Sequence, residues 1–240
     1  MMTPKERNMN KQRLIVISVV PAMVLPFIAS FFYFIVWADQ PVARYLYSAV
    51  KLFTLIWPVL ALFLVIGEKD AFRGILGAGH LRAVPLGILT GCVIGGLILA
   101  GYYLTPLGEH VNAHKDAIVQ QMEKFNLVKY YIPFAVFLSL AHSLIEEYYW
   151  RWFVFGQLAK IVPAAAAYLL GSAAFAAHHF VVLSVYFPAW STALFGTGVG
   201  LGGLLWCWQY RKQKSLAGAW VSHMLVDASF LFIGYQLMTG

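Results

Sequence analysis

Charged side chains are scarce in this chain. Asp, Glu, Lys and Arg make up 11% of its 240 residues, against about 25% in soluble domains. With 61% of the residues hydrophobic, that shortage excludes a soluble globular domain and points to an integral membrane protein. Cysteine is also nearly absent. Cys92 and Cys207 are far apart in sequence, which excludes a disulfide framework and a cysteine-based metal or redox motif. Both are expected as small apolar core residues inside spans. There is no His-Glu-x-x-His run, so the compact zinc-protease signature is missing. No duplicated pair of broken helices is found either, as a repeat-built transporter would have. The first apolar run, Leu14 to Trp37, is too long for the apolar region of a cleavable signal and lacks an Ala-x-Ala exit; it is expected to stay as a span.

What the chain does have is apolar length. Crossing a bilayer takes about 20 apolar residues, and seven runs qualify: 14–37, 45–66, 84–104, 131–158, 164–186, 189–209 and 215–238. They predict an all-α fold, a polytopic membrane helical bundle of about seven transmembrane helices. Residues 1–129 hold spans one to three and an amphipathic loop, residues 130–240 hold the rest, and all form one membrane domain. Gly87, Gly91 and Gly95 in span three and Gly196, Gly198, Gly200, Gly202 and Gly203 in span six read as surfaces for close helix packing. A phosphate-binding glycine turn would need a preceding strand. In the polar stretch 105–129, His110 and His114 read as exposed loop histidines. Val119, Met122, Phe125 and Leu127 are spaced as on an amphipathic helix along the membrane surface.

The net charge of +7 follows from loop anchors and does not call for nucleic acid. With the N-terminus inside, Lys5, Arg7, Lys11, Arg13, Lys69, Arg73, Arg82, Lys160, Arg211, Lys212 and Lys214 fall on the cytoplasmic side, with Arg151 at or within the membrane. Arg44, Lys115, Lys124 and Lys129 fall outside. The positive-inside rule thus puts this multi-pass protein in the cell membrane with a cytoplasmic N-terminus and an outer C-terminus.

Ionisable groups within the spans concentrate in the C-terminal half: His142, Glu146, Glu147 and Arg151 in span four, His178 and His179 in span five, His223 and Asp227 in span seven. A charge at bilayer depth costs at least ~2.5–3.5 kcal/mol, so such residues are usually functional. Glu147 and Arg151 have the spacing of a favourable i,i+4 pair. Glu146 points about 100° away from Glu147 and remains available for chemistry. His142 lies one turn before Glu146, and His223 shares a helix face with Asp227. His178 and His179 point in different directions. A shielded carboxylate base with histidines on neighbouring helices is a hydrolytic constellation. Glu146 sits about 20 Å from the outer end of its span and His179 about 24 Å from the inner end of its own, near the middle of the membrane.

Glu146-Glu147-x-x-x-Arg151, Phe175-x-x-x-His179 and His223-x-x-x-Asp227 together resemble the three motifs of the CPBP family. These are intramembrane glutamic endopeptidases related to the CAAX prenyl proteases (the Rce1 or Abi group). The resemblance covers about residues 131–231. It implies a catalytic site among spans four, five and seven. Glu146 would activate water with His179, and His223 with Asp227 would supply the oxyanion side; Glu147, Arg151, His142 and His178 would support them. Asp227 departs from the asparagine commoner in the family, and an ionised aspartate cannot donate to an oxyanion. The resemblance implies no metal or other cofactor. Its partners would be the lipid bilayer and a membrane-associated protein or peptide substrate, including C-terminal sorting or lipidated tails, with no role for nucleic acid. Four other readings compete: catalytic zinc held by His142, Glu146, His179 and His223, a proton-coupled transporter, a non-catalytic scaffold, and an inert buried polar network.

Overall fold

The computed structural model describes residues 3–68, 80–124 and 126–240. Lys69 and Arg73 of the basic loop, and Phe125 of the amphipathic stretch, lie outside the described residues. Among the described residues there is no strand. The helices are α1 (Pro4–Phe31), α2 (Val42–Leu60), α3 (His80–Leu104), α4 (Leu107–Asn112), α5 (Lys115–Lys124), α6 (Tyr131–Phe137), α7 (Ser143–Glu147), α8 (Gly156–Leu158), α9 (Ala164–Ser184), α10 (Ala189–Gln213) and α11 (Ala217–Thr239). Wider π-helical turns follow α1 at Phe32–Val36 and α2 at Ala61–Ile66. Two more, Leu138–His142 and Tyr148–Phe155, join α6, α7 and α8, so residues 131–158 are helical throughout.

This is a polytopic helical membrane protein. Five helices among the described residues are long and apolar enough to cross a bilayer: Glu6–Val36, Val42–Ile66, His80–Leu104, Ala164–Ser184 and Ala217–Thr239. Leucines such as Leu64, Leu89, Leu97, Leu169 and Leu201 are exposed on their helices, a surface suited to lipid rather than water. The sequence count of seven is two higher. Span four is diluted by Glu146, Glu147 and Arg151, and α10 by its glycines and its basic last turn.

Several sequence boundaries move. The N-terminal basic flank is helical because Pro4 opens α1 and Thr3 caps it. The Thr3 hydroxyl accepts from the Glu6 amide, and the Glu6 carboxylate accepts from the Thr3 amide. Arg211 and Lys212 belong to the last turn of α10, not to a loop, where cations suit the helix C-terminus. The amphipathic helix stops at Lys124, leaving Leu127 in a turn. Cys207 is buried as expected, but Cys92 is exposed, because its neighbour Gly91 occupies the packed face of α3.

The chain forms two compact units, Met1–Gly77 with Tyr148–Lys214, and Ala78–Glu147 with Ser215–Gly240. In the first, α9 packs against α10. A Cβ on Gly203 would sit 3.2 Å from the Ser172 Cβ, and one on Gly196 would strike the Phe180 ring at 2.5 Å. Trp57 Nε1 donates to the Ser18 carbonyl at 2.9 Å, tying α2 to α1. Glu68 accepts from Lys160 (2.6 Å) and Gln157 (3.2 Å) and pairs with Lys11 (3.1 Å).

In the second unit, the glycine stripe of α3 lies directly on α11. Gly87 abuts the backbone of Gly218, and a Cβ on Gly91 would meet Leu225 at 2.9 Å and the Ser222 Cα at 3.0 Å. Thr90 Oγ1 donates to Ser222 Oγ across this seam at 3.1 Å. The Tyr131 hydroxyl donates to the Leu231 carbonyl at 2.6 Å, and Trp220 Nε1 to the Leu140 carbonyl at 2.9 Å. The latter bond reaches into the π-turn just before α7 and helps fix α7 against α11.

Candidate active site

α7, the π-helical turn before it and α11 bring five of the expected residues together in the second unit. Glu147 is completely buried, and Glu146 and His223 nearly so. His223 stands between the carboxylates. Its Nδ1 lies 2.8 Å from Glu147 Oε1, so the Nδ1–H donates to Glu147. Its Nε2 then faces Glu146 Oε2 at 3.7 Å and Asp227 Oδ1 at 3.5 Å. His142 Nδ1 approaches Glu146 Oε2 at 3.8 Å, within ion-pair range but beyond hydrogen-bond length.

A carboxylate that accepts from one imidazole nitrogen fixes the ring's orientation and raises the basicity of the other nitrogen. Glu147 therefore acts on His223 as an orienting group. The i,i+4 spacing to Arg151 gave no hint of this, because the contact spans 76 positions. With Nδ1 committed to Glu147, only Nε2 is left to exchange a proton with Glu146 or with a group bound beside it.

The first unit assembles a second set. Arg151 is fully buried, with its guanidinium 4.2 Å from the centre of the Phe175 ring and 5.0 Å from that of Trp206. A desolvated cation held against aromatic rings in this way is stabilised by about 2 kcal/mol. His179 Nδ1 lies 3.0 Å from the Phe175 carbonyl one turn earlier, so Nδ1 donates and Nε2 becomes the acceptor nitrogen. The Phe175 ring packs against His179 at 4.7 Å and edge-on to His178 at 5.8 Å between ring centres. His178 also stacks flat on Trp150, 5.6 Å between centres and 6° between planes. The Phe175-x-x-x-His179 spacing thus has a physical content: one aromatic ring serves the arginine and both histidines. The two histidine rings lie 4.0 Å apart, closer than expected for residues pointing different ways. Trp150 and Trp206 carry no signal in the sequence, since tryptophan in an apolar span reads as ordinary core.

His110 and His114 are half-buried rather than exposed, and His110 lies within α4, not in a loop. Their rings are 4.6 Å apart, and His114 Nδ1 donates to the His110 carbonyl at 2.8 Å.

Residues 128–229 match the family model described as Type II CAAX prenyl endopeptidase Rce1-like. The matched stretch runs from just before α6 into α11 and contains all eight expected site residues. Neither the curated proteins nor the solved structures give a match to the chain.

Proposed function

We propose that this chain, whose residues 128–229 match the Rce1-like family model, is a glutamic intramembrane endopeptidase of that family that needs no metal. The observation that carries the reading is the buried His223, oriented by Glu147 through Nδ1 and facing Glu146 and Asp227 through Nε2.

In this reading Glu146, partnered by His179, takes a proton from water as the hydroxide adds to the scissile carbonyl. His223, protonated on both ring nitrogens between the carboxylates of Glu147, Glu146 and Asp227, donates its Nε2–H to the oxyanion. Asp227 supports His223 by holding that nitrogen in place. The tetrahedral intermediate then collapses, the C–N bond breaks, and the departing nitrogen receives the proton from Glu146. The products are a carboxylic acid and an amine, with no net proton change at the enzyme. Glu147 and Arg151 serve as structural supports, with His142 and His178 beside them. The substrate is a membrane-associated protein or peptide, a C-terminal lipidated or sorting tail being the class the family points to. The protein lies in the cell membrane with its N-terminus in the cytoplasm and its C-terminus outside, following the distribution of lysine and arginine.

The test compares wild type with Glu146→Gln by terminal-peptide proteomics of the host, with the variant's level in membranes checked in parallel. A truncated terminus present with wild type and lost with the variant identifies proteolysis and the substrate together. Processing that persists with a well-folded Glu146→Gln protein would sink the reading. Cleavage is expected to be unaffected by chelators, and loss of activity on chelation with recovery on added zinc would favour the metal alternative instead.

A further inference from the structure

α1 carries two internal prolines, Pro21 and Pro26. A proline has no N–H, so the carbonyl four residues earlier loses its helical donor; for Pro26 that carbonyl belongs to Ala22. Within a bilayer core no water replaces the missing bond, and such a group must find a partner in the protein. It finds Tyr149, whose hydroxyl donates to the Ala22 carbonyl at 2.7 Å. Both residues are buried. The preceding residue also reaches a backbone carbonyl of the next span, the Tyr148 hydroxyl donating to the Leu55 carbonyl of α2 at 3.0 Å, although no proline frees that carbonyl.

These two tyrosines directly follow Glu146 and Glu147 and open the π-helical segment Tyr148–Phe155. Consecutive helical side chains diverge by about 100°, so two phenols gripping two different helices resist rotation of the segment about its own axis. Rotation there would swing the adjoining carboxylates, Glu147 being two residues from Tyr149. Both acceptors, Ala22 and Leu55, lie outside the family-matched stretch, which gives the N-terminal spans of this chain a task beyond filling the bundle.

We propose that Tyr149 is a positioning residue: its hydroxyl, bound to the carbonyl that Pro26 leaves without a helical donor, fixes the helix that presents Glu146 and Glu147. The role rests on the proposed protease reading for its catalytic consequence, but the positioning itself can be read without a substrate.

The test uses the full chain in detergent micelles as four proteins: wild type, Tyr149→Phe, Pro26→Ala, and the double variant. Pro26→Ala returns a backbone donor to the Ala22 carbonyl, so the double variant satisfies that carbonyl without restoring the grip on the Tyr149 helix. Three quantities are read: melting temperature, the ¹⁵N-histidine resonance of the His223 Nδ1–H (assigned with His223→Gln), and kcat and KM on a peptide spanning a terminus cleaved by wild type. Tyr149→Phe is expected to lower the melting temperature, shift the His223 resonance, and reduce kcat at least tenfold with KM little changed. The double variant is expected to regain melting temperature while the resonance and kcat stay perturbed. Recovery of all three in the double variant would reduce Tyr149 to a partner for one carbonyl and overturn the proposal. So would a Tyr149→Phe protein with the wild-type resonance. If wild type cleaves no terminus that Glu146→Gln spares, the protease reading fails, while the His223 resonance still decides the positioning role.

Discussion

His223 and Glu147 share a buried hydrogen bond, Nδ1 to Oε1 at 2.8 Å, that joins α11 to the end of α7. The bond commits one nitrogen of the imidazole to orientation and turns the other toward Glu146. Glu147 is therefore tied to a histidine and is more than a neighbour of Arg151 in sequence.

Replacing Glu147 by glutamine keeps an acceptor oxygen but removes the charge that holds the ring. A reacting group misplaced by about 1 Å can lose roughly 100-fold in rate, and Glu147→Gln is expected to lower activity by about 10–100-fold in a cleavage assay. Glu147→Ala leaves the imidazole without its buried acceptor and should also destabilise the protein by about 3 kcal/mol. Equal melting temperatures for Glu147→Ala and wild type would contradict the buried bond.

Arg151→Lys preserves the charge and loses the plane. A compact lysine ammonium cannot cover both Phe175 and Trp206 as the broad guanidinium does. A loss of roughly 2 kcal/mol is expected by denaturation in detergent. Phe175→Leu should give a loss of the same sign and also disturb His179, whose ring packs on Phe175.

The seam between α3 and α11 predicts opposite outcomes for two glycines of one helix. Gly91→Ala drives a methyl into Ser222 and Leu225, beside His223, and should cost about 1–3 kcal/mol. Gly96→Ala meets nothing within 4 Å and should be neutral or slightly stabilising, since alanine favours the helix. Thermal melts of the two variants side by side decide this, and similar losses for both would refute the packing argument.

Glu68 gives a pH dependence. Burial alone would raise its carboxyl pKa, but Lys160, Lys11 and Gln157 outweigh that and lower it below its ordinary 4.5. A lowered native pKa means that the contribution to stability is complete above 4.5 and fades as pH falls through the lower native value. The effect is modest because the lysines are partly exposed. Glu68→Gln should be slightly less stable at neutral pH and converge with wild type in acid. A constant gap between the two melting curves from neutral pH down to about 3 would show that the lysine cluster contributes nothing.

The membrane character, the order of the helices and the reactive residue types follow from the chain itself. Apolar length and the scarcity of charge are local properties, and pairs such as His223 and Asp227 are legible because i,i+4 spacing puts them on one helix face. The apolar runs 164–186 and 215–238 nearly coincide with α9 and α11 on the same grounds, with Pro163 marking the start of α9. The tertiary structure decided which groups meet across the chain. Glu147 finds His223, one Phe175 ring serves Arg151, His178 and His179, and Tyr149 answers a carbonyl made available by Pro26. Helical periodicity says which way a side chain points from its own axis. It carries no information about which distant helix stands there, because that is fixed by how glycine seams, proline-freed carbonyls and buried charges are all satisfied at once.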